Sequence, residues 1–197
     1  MRNWFIVLLC LIGVTVKATG NDEYAVANIP DALMKNANVV KRVELMRFEI
    51  TEGNKATFYR KVAFTVLNEQ GDHWGGYSEW YDKLRTIESF EGTLFDVTGK
   101  KLKSLKKSDI KDVSGSDDAS LADDNRVKWH SFFYKVYPYT VEYEIEVRYK
   151  GTMFLPAWTP QERPIMGVQS SKLIVISPTS NPLHYKMFNY KGTPVIT

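Results

Sequence analysis

The chain has 197 residues, of which 44% are hydrophobic and 25% charged, a composition that fits a folded domain and excludes a disordered or collagen-like chain. Its 26 Lys and Arg stand against 23 Asp and Glu, and a net charge of +3 is too small an excess to predict a nucleic-acid partner. The only cysteine is Cys10, which excludes a disulfide framework.

Residues 1–20 have the parts of a cleavable secretory leader in order. Arg2 supplies the positive end, and Trp4 to Val14 is an apolar stretch shorter than a stable membrane span requires. Ala18-Thr19-Gly20 then offers small residues where a signal peptidase reads, with the cut falling after Ala18 or Gly20. Arg2 and Lys17 leave with this segment, so residues 21–197 retain 24 basic and 23 acidic residues, a net charge of +1. Cys10 leaves too. Preceded by Leu8-Leu9, it lacks the context of a lipid-attachment site, and residues 21–197 contain no thiol nucleophile. An exported domain without disulfides points to a bacterial envelope, in the periplasm or at the cell surface of a Gram-negative organism.

Beyond the leader, Ile29 to Lys35 predicts a short helix with Pro30 in its first turn. From Val39 the period changes to two. Val43 and Leu45 are expected to face inward, and a register slip, read as a β-bulge, brings Phe48 and Ile50 to the same side. Glu52-Gly53-Asn54 reads as a turn into a second strand, with Phe58, Val62, Phe64 and Val66 on one face and Lys61 and Thr65 on the other. Asn68 to Gly71 closes it. Short strands are expected at Ser78–Tyr81 and Leu84–Phe90, and a separate one at Thr93–Asp96 enters a tight hairpin at Gly99-Lys100, returning from Leu102. Ser108 to Asn125 predicts a polar loop too flexible to pack. Arg126 to Tyr137 is aromatic-rich and extended. Tyr139 to Tyr149 alternates perfectly and predicts a strand with one buried and one wet face. Leu173 to Ile176 is a continuous apolar run, expected to be buried on both sides. The pattern as a whole predicts an all-β, mainly antiparallel β-sandwich over residues 21–197, with at most one or two short helices.

No catalytic, cofactor or metal motif emerges. His73, His130 and His184 form no metal-ligand pair, and no Gly-x-Ser-x-Gly elbow is present. The acids Asp112, Asp117, Asp118, Asp123 and Asp124 fail the EF-hand spacing, since the sixth and twelfth positions counted from Asp112 hold Asp117 and Asp123. Lys100, Lys101, Lys103, Lys106, Lys107 and Lys111 lack interleaved aromatics and read as a solvated hairpin. The group with the most to offer is Trp74, Tyr77, Trp80 and Tyr81, aromatic rings able to stack on a sugar or grip a polypeptide. Strand parity places Trp74 with Trp80 and Tyr77 with Tyr81, so at most one pair faces solvent.

Several segments carry a family resemblance. They are Ala25-Val26-Ala27-Asn28-Ile29-Pro30 with Asn36-Ala37-Asn38-Val39-Val40, Thr65-Val66-Leu67-Asn68 with Gly71, and Tyr81-Asp82. Leu94-Phe95-Asp96 with Gly99-Lys100, Ser108-Asp109-Ile110 with Asp112, Tyr137-Pro138-Tyr139-Thr140-Val141-Glu142-Tyr143 and Leu155-Pro156-Ala157-Trp158 extend it. In this order they resemble the domain of unknown function 3857. That resemblance implies an accessory β-sandwich that stands N-terminal to a transglutaminase-like domain in exported bacterial proteins. It implies a non-catalytic role, with an adjacent transglutaminase-like domain, another protein or a peptide as partner. The alternative expectation is a carbohydrate-binding module working through the four aromatics.

Overall fold

The computed structural model describes residues 22–51, 55–115, 124–153, 155–180, 182–186, 188 and 192–195. The expected leader and the expected turn at Glu52-Gly53-Asn54 lie outside the described residues. Strands dominate. The only α-helix among the described residues, α1 (Asp31–Met34), follows Pro30, whose fixed φ suits the turn that starts it.

Among the described residues, seven strands form the large sheet. β1 (Val39–Ile50), β2 (Ala56–Val66), β8 (Tyr139–Tyr149) and β4 (Arg85–Phe95) lie side by side and antiparallel, with β5 (Lys101–Ser104) outside β4. β9 (Met166–Val168) and β10 (Lys172–Ile176) run parallel to β1 and share its outer edge. A second sheet has three antiparallel strands in the order β3 (Gly76–Tyr81), β7 (Arg126–Ser131) and β6 (Lys111–Ser114). It packs across the large sheet, giving the sandwich that the alternation predicts.

The strand with the cleanest alternation sits near the middle. Val141, Tyr143, Ile145 and Val147 of β8 are fully buried, facing the second sheet together with Phe58, Val62, Phe64 and Val66 of β2. Each such side chain contributes about 1.5–3 kcal/mol of apolar burial. The opposite face of β8 is polar, where Glu142 and Glu144 meet Lys61 at 2.8 and 3.1 Å and Tyr59 donates to Glu144 at 2.7 Å. One corner of that outer face is nevertheless dry. Tyr24 lies over Ala63 and Phe95, while Arg42 donates to Thr65 Oγ1 and to the carbonyls of Glu23 and Tyr24.

Four expectations need correction. The bulge in β1 falls at Arg42, between Lys41 and Val43, so Glu44, Met46 and Phe48 point inward and Val43 turns to the Tyr24 corner. The hydrophobic period missed this because two of the inward residues are charged. The expected strands Leu84–Phe90 and Thr93–Asp96 are one strand, β4, bounded by Arg85 and Phe95; it continues past a bulge between Ile87 and Ser89 and turns at Gly99, whose φ of +83° suits glycine. The polar segment Lys111–Ser114 is not loop but β6, an exposed edge that needs only backbone pairing to β7. Finally, Leu173 to Ile176 is half-exposed rather than buried on both faces, because β10 is an edge strand. No described helix is long and apolar enough to cross a membrane.

A candidate ligand cleft above a buried ion cluster

The bulge at Arg42 has a chemical result. Residues three apart on a regular strand point to opposite faces. One inserted residue restores the phase, so Lys41 and Glu44 both point into the sandwich, 0% and 1% exposed. Lys41 Nζ lies 3.0 Å from Glu44 Oε2 and donates to the Thr159 carbonyl at 3.3 Å. Arg60, on the same face of β2, donates from Nη2 to Glu44 Oε1 at 2.5 Å. Ser171 donates to Glu44 Oε2 at 2.7 Å and accepts from Trp158 Nε1 at 2.8 Å. Glu162 closes the cluster at 3.4 Å from Lys41, from a position 35% exposed.

Burial alone would raise the Glu44 carboxyl, but Arg60, Ser171 and Lys41 together hold it below the usual carboxylate range. Burial likewise disfavours the Arg60 cation, and Tyr77 and Glu44 outweigh it, keeping the guanidinium charged. Among the described residues, one buried side-chain donor stays unsatisfied. Arg60 Nε is buried and has no hydrogen-bond partner.

Above this cluster opens a cleft of about 450 Å³. Its floor is Arg60 and Phe64 of β2, and one wall is Asp72 to Trp74, from the 3-10 turn Glu69–Gly75 that Asn68 caps by accepting from the Gln70 amide. Tyr77 of β3, Trp129 and His130 of β7, and Glu162 complete it. Trp74 leans on Phe64 with ring centroids 5.3 Å apart. Tyr77 packs against Phe90 and Tyr143, at 5.8 and 5.6 Å, and donates to Glu79 at 2.8 Å. Burial raises the Glu79 carboxyl above its ordinary value. On the rim, Asp72 pairs with Lys135 and accepts from Tyr137 at 2.7 Å. Burial works against that carboxylate, but Lys135 and Tyr137 hold it low.

The four aromatics singled out in the sequence therefore divide. Trp74 and Tyr77 line the cleft; Trp80 and Tyr81 do not. Because β3 begins at Gly76, Trp74 lies on the turn and does not share strand parity with Trp80, which corrects that pairing. Trp80 is 47% exposed on the outer face of the small sheet, opposite Val127 in register. Tyr81 shares the inner face with Tyr77 but sits at its open end, donating to Asp112 and accepting from Arg126 Nε at 2.9 Å.

The histidines are scattered. His73 and His184 are exposed, whereas His130 is buried with Nδ1 3.0 Å from the Tyr143 hydroxyl, and burial lowers its pKa. Among the described residues, no group of three His, Cys, Asp or Glu could hold a metal ion; Asp117, Asp118 and Asp123 lie outside them. The lysine run is exposed along the β4–β5 hairpin and the turn after it. Sequence reasoning missed Lys41, Glu44, Arg60 and Glu162. For Lys41, Glu44 and Arg60 the only signal was charge at core-phase positions of otherwise apolar strands; Glu162, in the segment before β9, offered none.

The family model for a domain of unknown function with solved structure, DUF3857, matches residues 53–197. A comparison with curated proteins found no match. A crystal structure from Parabacteroides distasonis ATCC 8503, labelled a "putative protease", is similar with a TM-score of 0.61 at 12% sequence identity. The likeness covers 74% of this chain and 30% of that one, and it is a likeness of fold.

Proposed function

We propose that this chain, which belongs to the DUF3857 family, is a non-catalytic interaction domain of an exported bacterial envelope protein. It packs against a transglutaminase-like domain on a longer or separate chain, or presents substrate to it. The observation that carries this reading is the apolar surface that follows β10. Ile176, Leu183, Tyr185, Phe188 and Val195 are 41%, 43%, 54%, 73% and 89% exposed. Single exposed apolar residues are ordinary, but five within twenty residues of chain exceed that scatter and suit a neighbouring domain. The fold-level likeness to under a third of a longer chain labelled a protease is in keeping with a domain that serves beside a catalytic one. Thiol-dependent acyl transfer also needs a thiolate, and residues 21–197 contain no cysteine.

A glycan-binding reading has less support. Stacking on a sugar needs free ring faces. Trp74 and Tyr77 spend theirs on Phe64 and Tyr143, and Trp80 and Tyr81 point to opposite faces of β3.

The test is turnover and contact. The purified protein is expected to show no transglutaminase, amidase or peptidase activity. Photo-crosslinkers at Leu183, Tyr185 and Phe188 in cells should capture a transglutaminase-like domain. Turnover that survives purification to homogeneity and disappears on denaturation would overturn the non-catalytic reading, and crosslinks confined to other partners would overturn the choice of neighbour.

A further inference from the structure

We infer that β10 pairs antiparallel with β10 of a second copy of this chain, joining two large sheets edge to edge across a two-fold axis at Ile174. The inference stands apart from the reading above. It uses the open edge of β10 and leaves the apolar residues from Leu183 onward to a neighbouring domain.

The backbone is the first ground. β10 pairs with β1 on one side only. The Glu44 amide donates to the Ser170 carbonyl at 3.0 Å, and Lys172 and Ile174 lie level with Leu45 and Arg47. In that parallel ladder the amides and carbonyls of Lys172, Ile174 and Ile176 bond to β1, and those of Leu173 and Val175 point away from it. Among the described residues, no hydrogen bond reaches Leu173 or Val175 on that outer side.

The second ground is the character of the edge. Open edges are ordinarily blunted by charge, proline or a bulge. β5 carries Lys101 and Lys103, and β6 carries Lys111 and Asp112. From Leu173 to Ile176, β10 has no charge, no proline and no break in register. Leu173 and Val175 share the face of Met46 and Phe48, while Ile174 and Ile176 share the face of Arg47 and Glu49. The edge is therefore apolar above and below the sheet. A partner strand must be apolar on both faces as well, which an amphipathic strand is not. β10 meets its own requirement, as an isologous interface demands.

The third ground is register. With Ile174 opposite Ile174 of the second copy, Leu173 falls opposite Val175, so the free amides and carbonyls of both residues are satisfied in each copy. Lys172 then lies opposite Ile176 and clear of the second copy's own Lys172. On that face the next strand beyond Ile176 presents Glu49, 41% exposed. Two strand spacings, roughly 10 Å, separate the two backbones, a gap that a lysine and a glutamate side chain together span. The symmetry repeats this complementary pair.

Sedimentation equilibrium of the purified protein should give a mass that rises with concentration to that of two copies. Ile174→Glu sets two carboxylates against each other at the axis, while Arg47 lies alongside within each copy. It should weaken the dimer about tenfold or more and leave a cooperative thermal transition. Val175→Pro removes an outward amide and no bond to β1, and should act likewise. Ile174→Cys tests the register directly. Residues 21–197 hold no cysteine, so mild oxidation should link two copies through position 174, whereas Lys172→Cys, displaced from its counterpart, should link none. A monomer at every concentration, a dimer indifferent to Ile174→Glu and Val175→Pro, or no cross-link from Ile174→Cys would each overturn the proposal. So would a photo-crosslinker at Ile174 that captures other proteins in cells and never a second copy. Should Ile174→Glu or Val175→Pro fail to fold, the two cysteine variants decide alone.

Discussion

Lys41 and Glu44 form an ion pair at 3.0 Å although only two residues separate them on one β-strand. The bulge at Arg42 permits it, and the same extra residue frees Arg42 to reach Thr65 and the N-terminal carbonyls on the other face of the sheet. A single inserted residue therefore supplies both a buried cation–anion pair inside the sandwich and a clamp on the segment outside it. Breaking the two halves should have different consequences.

Glu44→Gln leaves Lys41 and Arg60 buried without their shared counter-ion. The expected loss is about 3–5 kcal/mol, read from urea denaturation at neutral pH. The same substitution should change the acid limb. Glu44 has a depressed pKa in the folded state, so its contribution is fully present above the unfolded carboxylate value of about 4.3 and is lost as pH falls through the folded value. In Glu44→Gln that part of the acid dependence should vanish. An unchanged acid limb would mean that the pair is solvated.

His130 predicts a second pH effect at a higher range. Burial depresses its pKa, aided by Lys103, so the unfolded chain binds the proton more readily. Stability from the neutral ring is fully present above the unfolded value of about 6.5 and is lost as pH falls from there through the folded value. The melting temperature should drop over that window in wild type and less in His130→Gln, which keeps a polar group near the Tyr143 hydroxyl. Proton NMR of the His130 ring should show its midpoint below the unfolded value of about 6.5.

Val141 and Ile145 are fully exposed to the packing of both sheets and not at all to water. An aspartate at either place buries an unpaired charge, costing several kcal/mol. Val141→Asp or Ile145→Asp should therefore abolish the cooperative thermal transition, whereas Glu146→Asp on the wet face of the same strand should leave it within about 1 °C.

Alternation made β8 legible residue by residue, because there the core is purely apolar and the outer face polar; on β2 it found Phe58, Val62, Phe64 and Val66 and missed Arg60 on the same face. The same rule failed at β1, where Lys41 and Glu44 occupy core-phase positions and no apolar count detects them. It failed at Lys111–Ser114, whose strand exists only through backbone pairing with β7, and backbone pairing leaves no side-chain trace on an exposed edge. It overestimated Leu173–Ile176, since an apolar run has the same composition on an edge as in a sheet centre. For the cleft, the aromatic cluster around Trp74 and Tyr77 marked the right wall, but the floor comes from strands distant in sequence. Arg60 and Glu162 meet only through the topology, β2 lying one strand away from the segment that precedes β9.

The aromatic cluster itself supplies the last test, because its members carry unequal burdens. Tyr77 bridges the two sheets, touching Phe90 and Tyr143 and donating to Glu79 beneath them. Its removal opens a large cavity at the sheet interface, and Tyr77→Ala should cost about 3–5 kcal/mol. Tyr77→Phe keeps the ring and deletes only the hydroxyl, leaving Glu79 without its donor, so a loss of about 1–3 kcal/mol is expected. Trp80 faces outward at 47% exposure and packs over Gly115. Trp80→Ala should change stability by no more than about 0.5–1 kcal/mol. Iodide should quench Trp80 fluorescence strongly and Trp74, leaning on Phe64, weakly. Equal destabilisation by Tyr77→Ala and Trp80→Ala would mean that the small sheet is held by its outer face instead, and the cleft wall built on Tyr77 would lose its rigid support.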